Sequence, residues 1–162
     1  MEQVIIVDRE NREVGVTSRK QMRAEKLAHR ATYIFVRRSD SRLLVQHRTL
    51  TKDVYPGYID LCAGGVVSAG ETYEESAERE LAEEMGIRGV ELDSHFDFWF
   101  EAGPVWGRVF SCRWDGEVIP QPEEVARVEL MDVQAALDGT HAGPFTPDSL
   151  VALRRLVSEG IF

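Results

Sequence analysis

The run GGVVSAGETYEESAERELAEEMGI, residues 64–87, carries seven glutamates and only one base, Arg79. Like charges at i,i+4 on a solvated helix cost roughly a few tenths of a kcal/mol each, and such helices ordinarily intersperse lysines. The local signals are nevertheless helical. Thr72 followed by Glu75 has capping-box spacing and Gly86 supplies a stop, which predicts a helix over 72–85. At about 100° per residue, Glu80, Glu83 and Glu84 fall on one edge of that helix, while Ala77, Leu81 and Met85 form a separate stripe suited to packing on a sheet.

Three converging carboxylates repel one another unless a cation sits among them or a proton is taken up. Oxygen donors without histidine or cysteine suit a hard divalent ion, Mg2+ or Mn2+, better than zinc. The preceding AGGVVSAGE, residues 63–71, is rich in glycine, which allows a tight turn and close backbone approach to a ligand. The competing interpretation is an acidic surface helix, with Arg79 a plain i,i+4 partner of Glu83.

Gly65, Glu71, Arg79, Glu80, Leu81, Glu83, Glu84, Gly86 and Ile87 together resemble the complete Nudix box, G-x5-E-x7-R-E-U-x-E-E-x-G-U, with U a bulky aliphatic residue. Outside the box, IIVDRENREVGVTSR and LAHRATYIFVRRSDSRLLVQHRTLTKDVYPGYID resemble the Nudix subgroup close in sequence to isopentenyl diphosphate isomerase. The resemblance implies an α/β/α sandwich with a mixed sheet. It also implies a pyrophosphohydrolase that cleaves the diphosphate of a nucleoside diphosphate linked to another moiety, using Mg2+ or Mn2+. Glu80, Glu83 and Glu84 would hold metal with the Gly65 carbonyl, and Arg79 and Glu71 would brace the loop and orient the ligands. A further acid after the central strands, Glu124 by position, would serve as base or extra ligand, with Glu123 and Glu101 as rivals.

Two other functions stay open at this stage. In the isomerase the catalytic cysteine and the metal-binding histidine that follows align with Gly64 and Val66 here, two further acids align with Gly103 and Val105, and only His29 keeps a counterpart. Cys62 lies two residues too early. A non-catalytic nucleotide-binding sensor would be expected to lose box glutamates and to sit beside a DNA-binding module; this box is intact.

Within 162 residues the pattern predicts one domain, with residues 1–29 as an N-terminal strand and helix extension. Strands are expected at 4–7, 13–16, 32–37 and 43–47, with a hairpin turn at RSDSR, then two longer strands in HFDFWFE and VWGRVFSCRW, helix 133–137, and a final helix from Thr146 to about Glu159. A net charge of −9 argues against nucleic acid or an anionic membrane as partner, and the resemblance implies a small-molecule diphosphate substrate. The N-terminus lacks the apolar run of a signal peptide, and Cys62 and Cys112 suggest a reducing, cytoplasmic setting without disulfides. The oligomeric state is open, a homodimer included. Phe98, Trp99, Phe100, Trp106, Arg37, Arg48, Lys52 and Arg108 have the chemistry to stack on a base or hold phosphate but equally suit strand core and solvated surface, so none is assigned to substrate, and His47, His95 and His141 have no ligand spacing.

Overall fold

The computed structural model describes residues 2–162. Eight strands form one mixed sheet: β1 (Gln3–Val7), β2 (Glu13–Ser18), β3 (His29–Arg37), β4 (Leu43–Arg48), β5 (Ile59–Asp60), β6 (Asp93–Phe100), β7 (Val105–Arg113) and β8 (Val125–Met131). Helices α1 (Arg19–Glu25), α2 (Tyr73–Met85), α3 (Val133–Leu137) and α4 (Pro147–Ser158) complete it. β3 and β7 pair in parallel from His29↔Val105 to Arg37↔Arg113, and the remaining pairings are antiparallel.

β3 is apolar on both faces because both are covered. Ile34 and Val36 meet the stripe Tyr73, Ala77, Leu81 and Met85 of α2. Tyr33 and Phe35 meet Ala152, Leu153 and Leu156 of α4 and Ala136 of α3. Helices therefore pack on both sides of the sheet, the α/β arrangement expected. The predicted elements lie within a few residues of the observed ones. The short strand β5 had no sequence signal of its own; it exists because His47 and Gln46 of β4 offer it an edge.

The feature that positions the rest is a split between β3 and β4. These strands pair only at Arg37↔Leu43, next to their turn, and then diverge. The loop 63–67 wedges into the gap and takes up the free edge of β3. Ile34 and Ala63 exchange both backbone hydrogen bonds (2.7 and 2.9 Å), the Thr32 N–H donates to the Gly65 carbonyl (2.9 Å), and the Val67 N–H donates to the Arg30 carbonyl (2.9 Å). Gly64 makes this approach possible. Its φ is +146°, and a Cβ there would stand 1.9 Å from the Thr32 carbonyl oxygen.

Gly64→Ala should therefore destabilise the protein by about 3 kcal/mol or more in urea unfolding, since backbone rather than a flexible side chain must yield. Gly70→Ala should cost about 1 kcal/mol, because that site has left-handed φ (+83°) but open space around it. Equal losses at the two positions would contradict the steric account.

Candidate active site

α2 starts where its sequence says it should. Thr72 accepts from the Glu75 N–H (3.1 Å) and the Thr72 N–H donates back to Glu75 (3.0 Å), a complete capping box. The helix ends at Gly86 in left-handed conformation. With Glu75 engaged in the cap, Glu71 just before it is free to turn inward, where it takes a bidentate pair from Arg79 (2.6 and 2.9 Å) and the Ser68 N–H (3.0 Å). These donors, Arg79 foremost, hold Glu71 below the usual carboxylate range.

Arg79 also donates to Glu80 (3.0 Å) and Glu83 (3.2 Å). One guanidinium thus gathers three carboxylates and ties the glycine loop to the helix. Glu80 lies against the α-carbon of Gly65, where a Cβ would fall 2.6 Å from its carboxylate. Burial raises the Glu80 pKa, Arg79 pulls it down, and Glu83 pushes it up. Glu83 stays exposed on the rim.

Glu84 differs from its neighbour. It is buried at 8% exposure and accepts from the Gly64 N–H (2.9 Å) and, at 3.4 Å, from Gln46 on β4. Loss of water, then the nearby Glu80 charge, pushes its pKa up to about 8. The Gly65 carbonyl accepts from the Thr32 N–H (2.9 Å) and, at a longer 3.4 Å, from the Thr32 hydroxyl.

These groups surround a hollow of about 350 Å³, which Glu2, Arg19, Lys52, Ser68, Gln121 and Glu124 also line. Among the described residues no three His, Cys, Asp or Glu side chains stand ready to hold a metal ion. The physical reason is visible: Glu80 and Glu83 face Arg79, and Glu84 faces the Gly64 amide. The donor set itself, oxygen only with two pKa values raised by crowding and burial, fits a hard divalent cation.

Of the three acids considered outside the box, Glu124 lies on the hollow, paired with Lys52. Glu123 is exposed and not on it. Glu101 is exposed, binding Trp99 Nε1 (2.6 Å) and Arg9 (3.8 Å). Arg48, Lys52 and Phe100 line a second cavity of about 270 Å³ that adjoins the hollow and shares Arg19, Lys52, Gly64 and Gly65 with it. The other aromatics and bases named from the sequence lie elsewhere. Arg37 stacks on Phe162, Arg108 pairs with Asp97 and Glu74, Trp99 packs on Trp106, and Phe98 is core. His47 bonds Glu129, His95 bonds Ser111, and His141 accepts from the Gly143 N–H. Sequence reasoning missed Gln46, Arg19 and Arg23, since pairing across a sheet and the seating of α1 leave no local pattern.

With this geometry the chain can be set beside known proteins. The NUDIX domain model matches residues 27–155. A Nudix hydrolase of Yersinia pestis is 48% identical over 158 residues, covering 94% of this chain and 84% of the relative. The Nudix hydrolase YfcD of Escherichia coli K12 is 47% identical over 157 residues with the same coverage. The crystal structure of DR0079 from Deinococcus radiodurans shares the fold at a TM-score of 0.84 and 23% identity, over 95% of this chain and 98% of that one. The intact box, its seating around one hollow and this similarity over nearly the whole chain lead to one conclusion: the protein belongs to the Nudix hydrolase family.

Proposed function

We propose that the protein is a Mg2+- or Mn2+-dependent, cytoplasmic pyrophosphohydrolase that cleaves the diphosphate of a nucleoside diphosphate linked to another moiety. The observation that carries this reading is the buried Glu84 carboxylate, held by the Gly64 amide beside Glu80 at the floor of the hollow. A chain gains nothing in stability from burying that charge without a cationic partner. Glu80, Glu83, Glu84 and the Gly65 carbonyl would hold the divalent ion. Such an ion neutralises phosphate charge and lowers the pKa of bound water.

The chain's own residues do the positioning. Arg79 and Glu71 keep the loop and helix in register, so that the acidic edge faces the hollow. Gly64 and Gln46 aim Glu84. Glu124, paired with Lys52 on the hollow, would accept a proton from the attacking water once Lys52 turned to the substrate. Two free, buried thiols, Cys62 and Cys112, support the cytoplasmic setting.

The likeness to the isomerase subgroup does not extend to its chemistry. The Cβ of a cysteine at position 64 would collide with the Thr32 carbonyl, and Cys62 is buried with its thiol pushed well up by desolvation.

The reading is tested by measuring phosphate release from nucleoside diphosphate sugars, dinucleoside polyphosphates, CDP-alcohols, NADH and nucleoside triphosphates, with Mg2+ or Mn2+ and with EDTA. Glu83→Gln and Glu84→Gln should each lower turnover about 100-fold or more with the fold intact by circular dichroism. Near wild-type turnover in both at saturating metal would sink the assignment. Glu124→Gln should lower kcat at least about tenfold with KM little changed, and Glu123→Gln should do much less. The reverse order would move the base.

A stability prediction follows from the raised Glu84 pKa. In the unfolded chain a glutamate titrates near about 4.3. A folded pKa of about 8 means the native state binds the proton more tightly, so this contribution is present below about 4.3 and lost as pH rises through 8. The metal-free melting temperature should fall across that window. Glu84→Gln should flatten the fall and melt above wild type at pH 8 in EDTA, while millimolar Mg2+ or Mn2+ should raise the wild-type value. A metal-free profile identical in wild type and variant would contradict it.

A further inference from the structure

We infer that the cationic face of α1 is a subsite for a second phosphate on the substrate, separate from the diphosphate that reacts. The inference deepens the hydrolase reading and rests on it for which diphosphate is cleaved. The acidic hollow and the adjoining cavity form one continuous cleft, joined at Arg19, Lys52, Gly64 and Gly65. The second cavity also has apolar walls, with Met22, Leu27, Phe100 and Val105 among its lining. A diphosphate lying at the hollow could therefore extend the rest of its molecule into this cavity, along α1.

Five cations line this second cavity, and two are already committed. Arg48 is tied to Asp60 (2.6 Å) and to the Val54 carbonyl (2.7 Å), so it braces the loop between β4 and β5. Lys52 is paired with Glu124. The other three all line the cavity: Arg19 and Arg23 share one face of α1 at i,i+4 spacing, and Lys26 follows as its left-handed C-cap. Their acidic neighbours reach them only loosely. Asp53 stands 3.8 Å from Arg19 and 3.6 Å from Arg23, and Glu2 stands 3.8 Å from Arg19.

The buried Arg23 Nε–H is the atom that faces Asp53 at 3.6 Å, beyond hydrogen-bond reach, and it has no hydrogen-bond partner among the described residues. A buried guanidinium N–H left unpaired is costly and uncommon in native proteins. A phosphate monoester brings close to two negative charges and three acceptor oxygens, which suits two guanidinium forks and an ammonium group lining one cavity. α1 precedes the 27–155 region that the NUDIX domain matches. The subsite is thus built by the N-terminal extension and is separate from the box that supplies the acidic hollow.

The test uses pairs of diphosphates that differ by one phosphate: coenzyme A and dephospho-coenzyme A, NADP+ and NAD+, and 2′-phospho-ADP-ribose and ADP-ribose. Binding is measured calorimetrically on the full chain in EDTA, and cleavage is measured with Mg2+. In at least one pair the phosphorylated member should bind, and be favoured in kcat/KM, about tenfold or more over its partner. Arg23→Gln and, separately, Lys26→Gln should reduce that preference towards unity through KM, and Arg23→Lys should restore part of it. Lys20→Gln removes the same charge from an exposed α1 position off the cavity and should keep the preference. If no phosphorylated member binds more tightly than its partner, or if Lys20→Gln erodes the preference as much as Arg23→Gln, the subsite is refuted. Tighter binding without cleavage of any compound would uphold the subsite and count against the hydrolase reading. Cleavage without discrimination would do the opposite.

Discussion

The site depends on a loop wedged between two strands that would otherwise pair. β3 and β4 share only the residues beside their turn, so the interior edge of β3 has backbone groups to satisfy, and residues 63–67 satisfy them. The contact is so close that only glycine fits at position 64. Once this backbone is pinned, the Gly64 amide points at Glu84 and the Gly65 α-carbon abuts Glu80. A break in the sheet therefore places both the loop and the carboxylates.

The electrostatics build on that frame. Arg79 is the single base within the box, and it engages Glu71, Glu80 and Glu83 together. It neutralises part of the cluster while leaving Glu84 to the Gly64 amide and Gln46, so burial and the Glu80 charge keep the pKa of Glu84 high. Charge repulsion is thus held in the folded site, and our proposal gives that charge to a divalent ion. Arg79 then acts on geometry, holding ligands in place through their neighbours.

The N-terminal extension gives the cleft its other wall. β1 and β2 set the position of α1, and Ser18 caps that helix by accepting from the Gln21 N–H (3.1 Å). Through α1 the acidic hollow opens into a cavity of opposite charge. A cleft acidic at one end and basic at the other suits a ligand whose reacting phosphates are met together with cations and whose remaining charge is met by arginine.

Sequence by itself determined what is local. The capping box, the terminal glycine and the apolar stripe make α2 legible to within a residue, and the box spacing points to one helical edge for Glu80, Glu83 and Glu84. The alternating strands and the two-sided cover of the sheet could be read in the same way, because hydrophobic period reports which faces are buried. Tertiary structure alone decided that Glu84 is buried while Glu83, one residue earlier, faces water. It also decided that Lys52 crosses to Glu124 and that Arg19 and Arg23 border the cleft, while Trp99 and Trp106 stack away from it. Each of these depends on contacts between residues far apart in the chain. Helical spacing sets a direction around an axis, but the depth at which a side chain ends, and the charge it meets there, come from the strand, loop and helix packed against it.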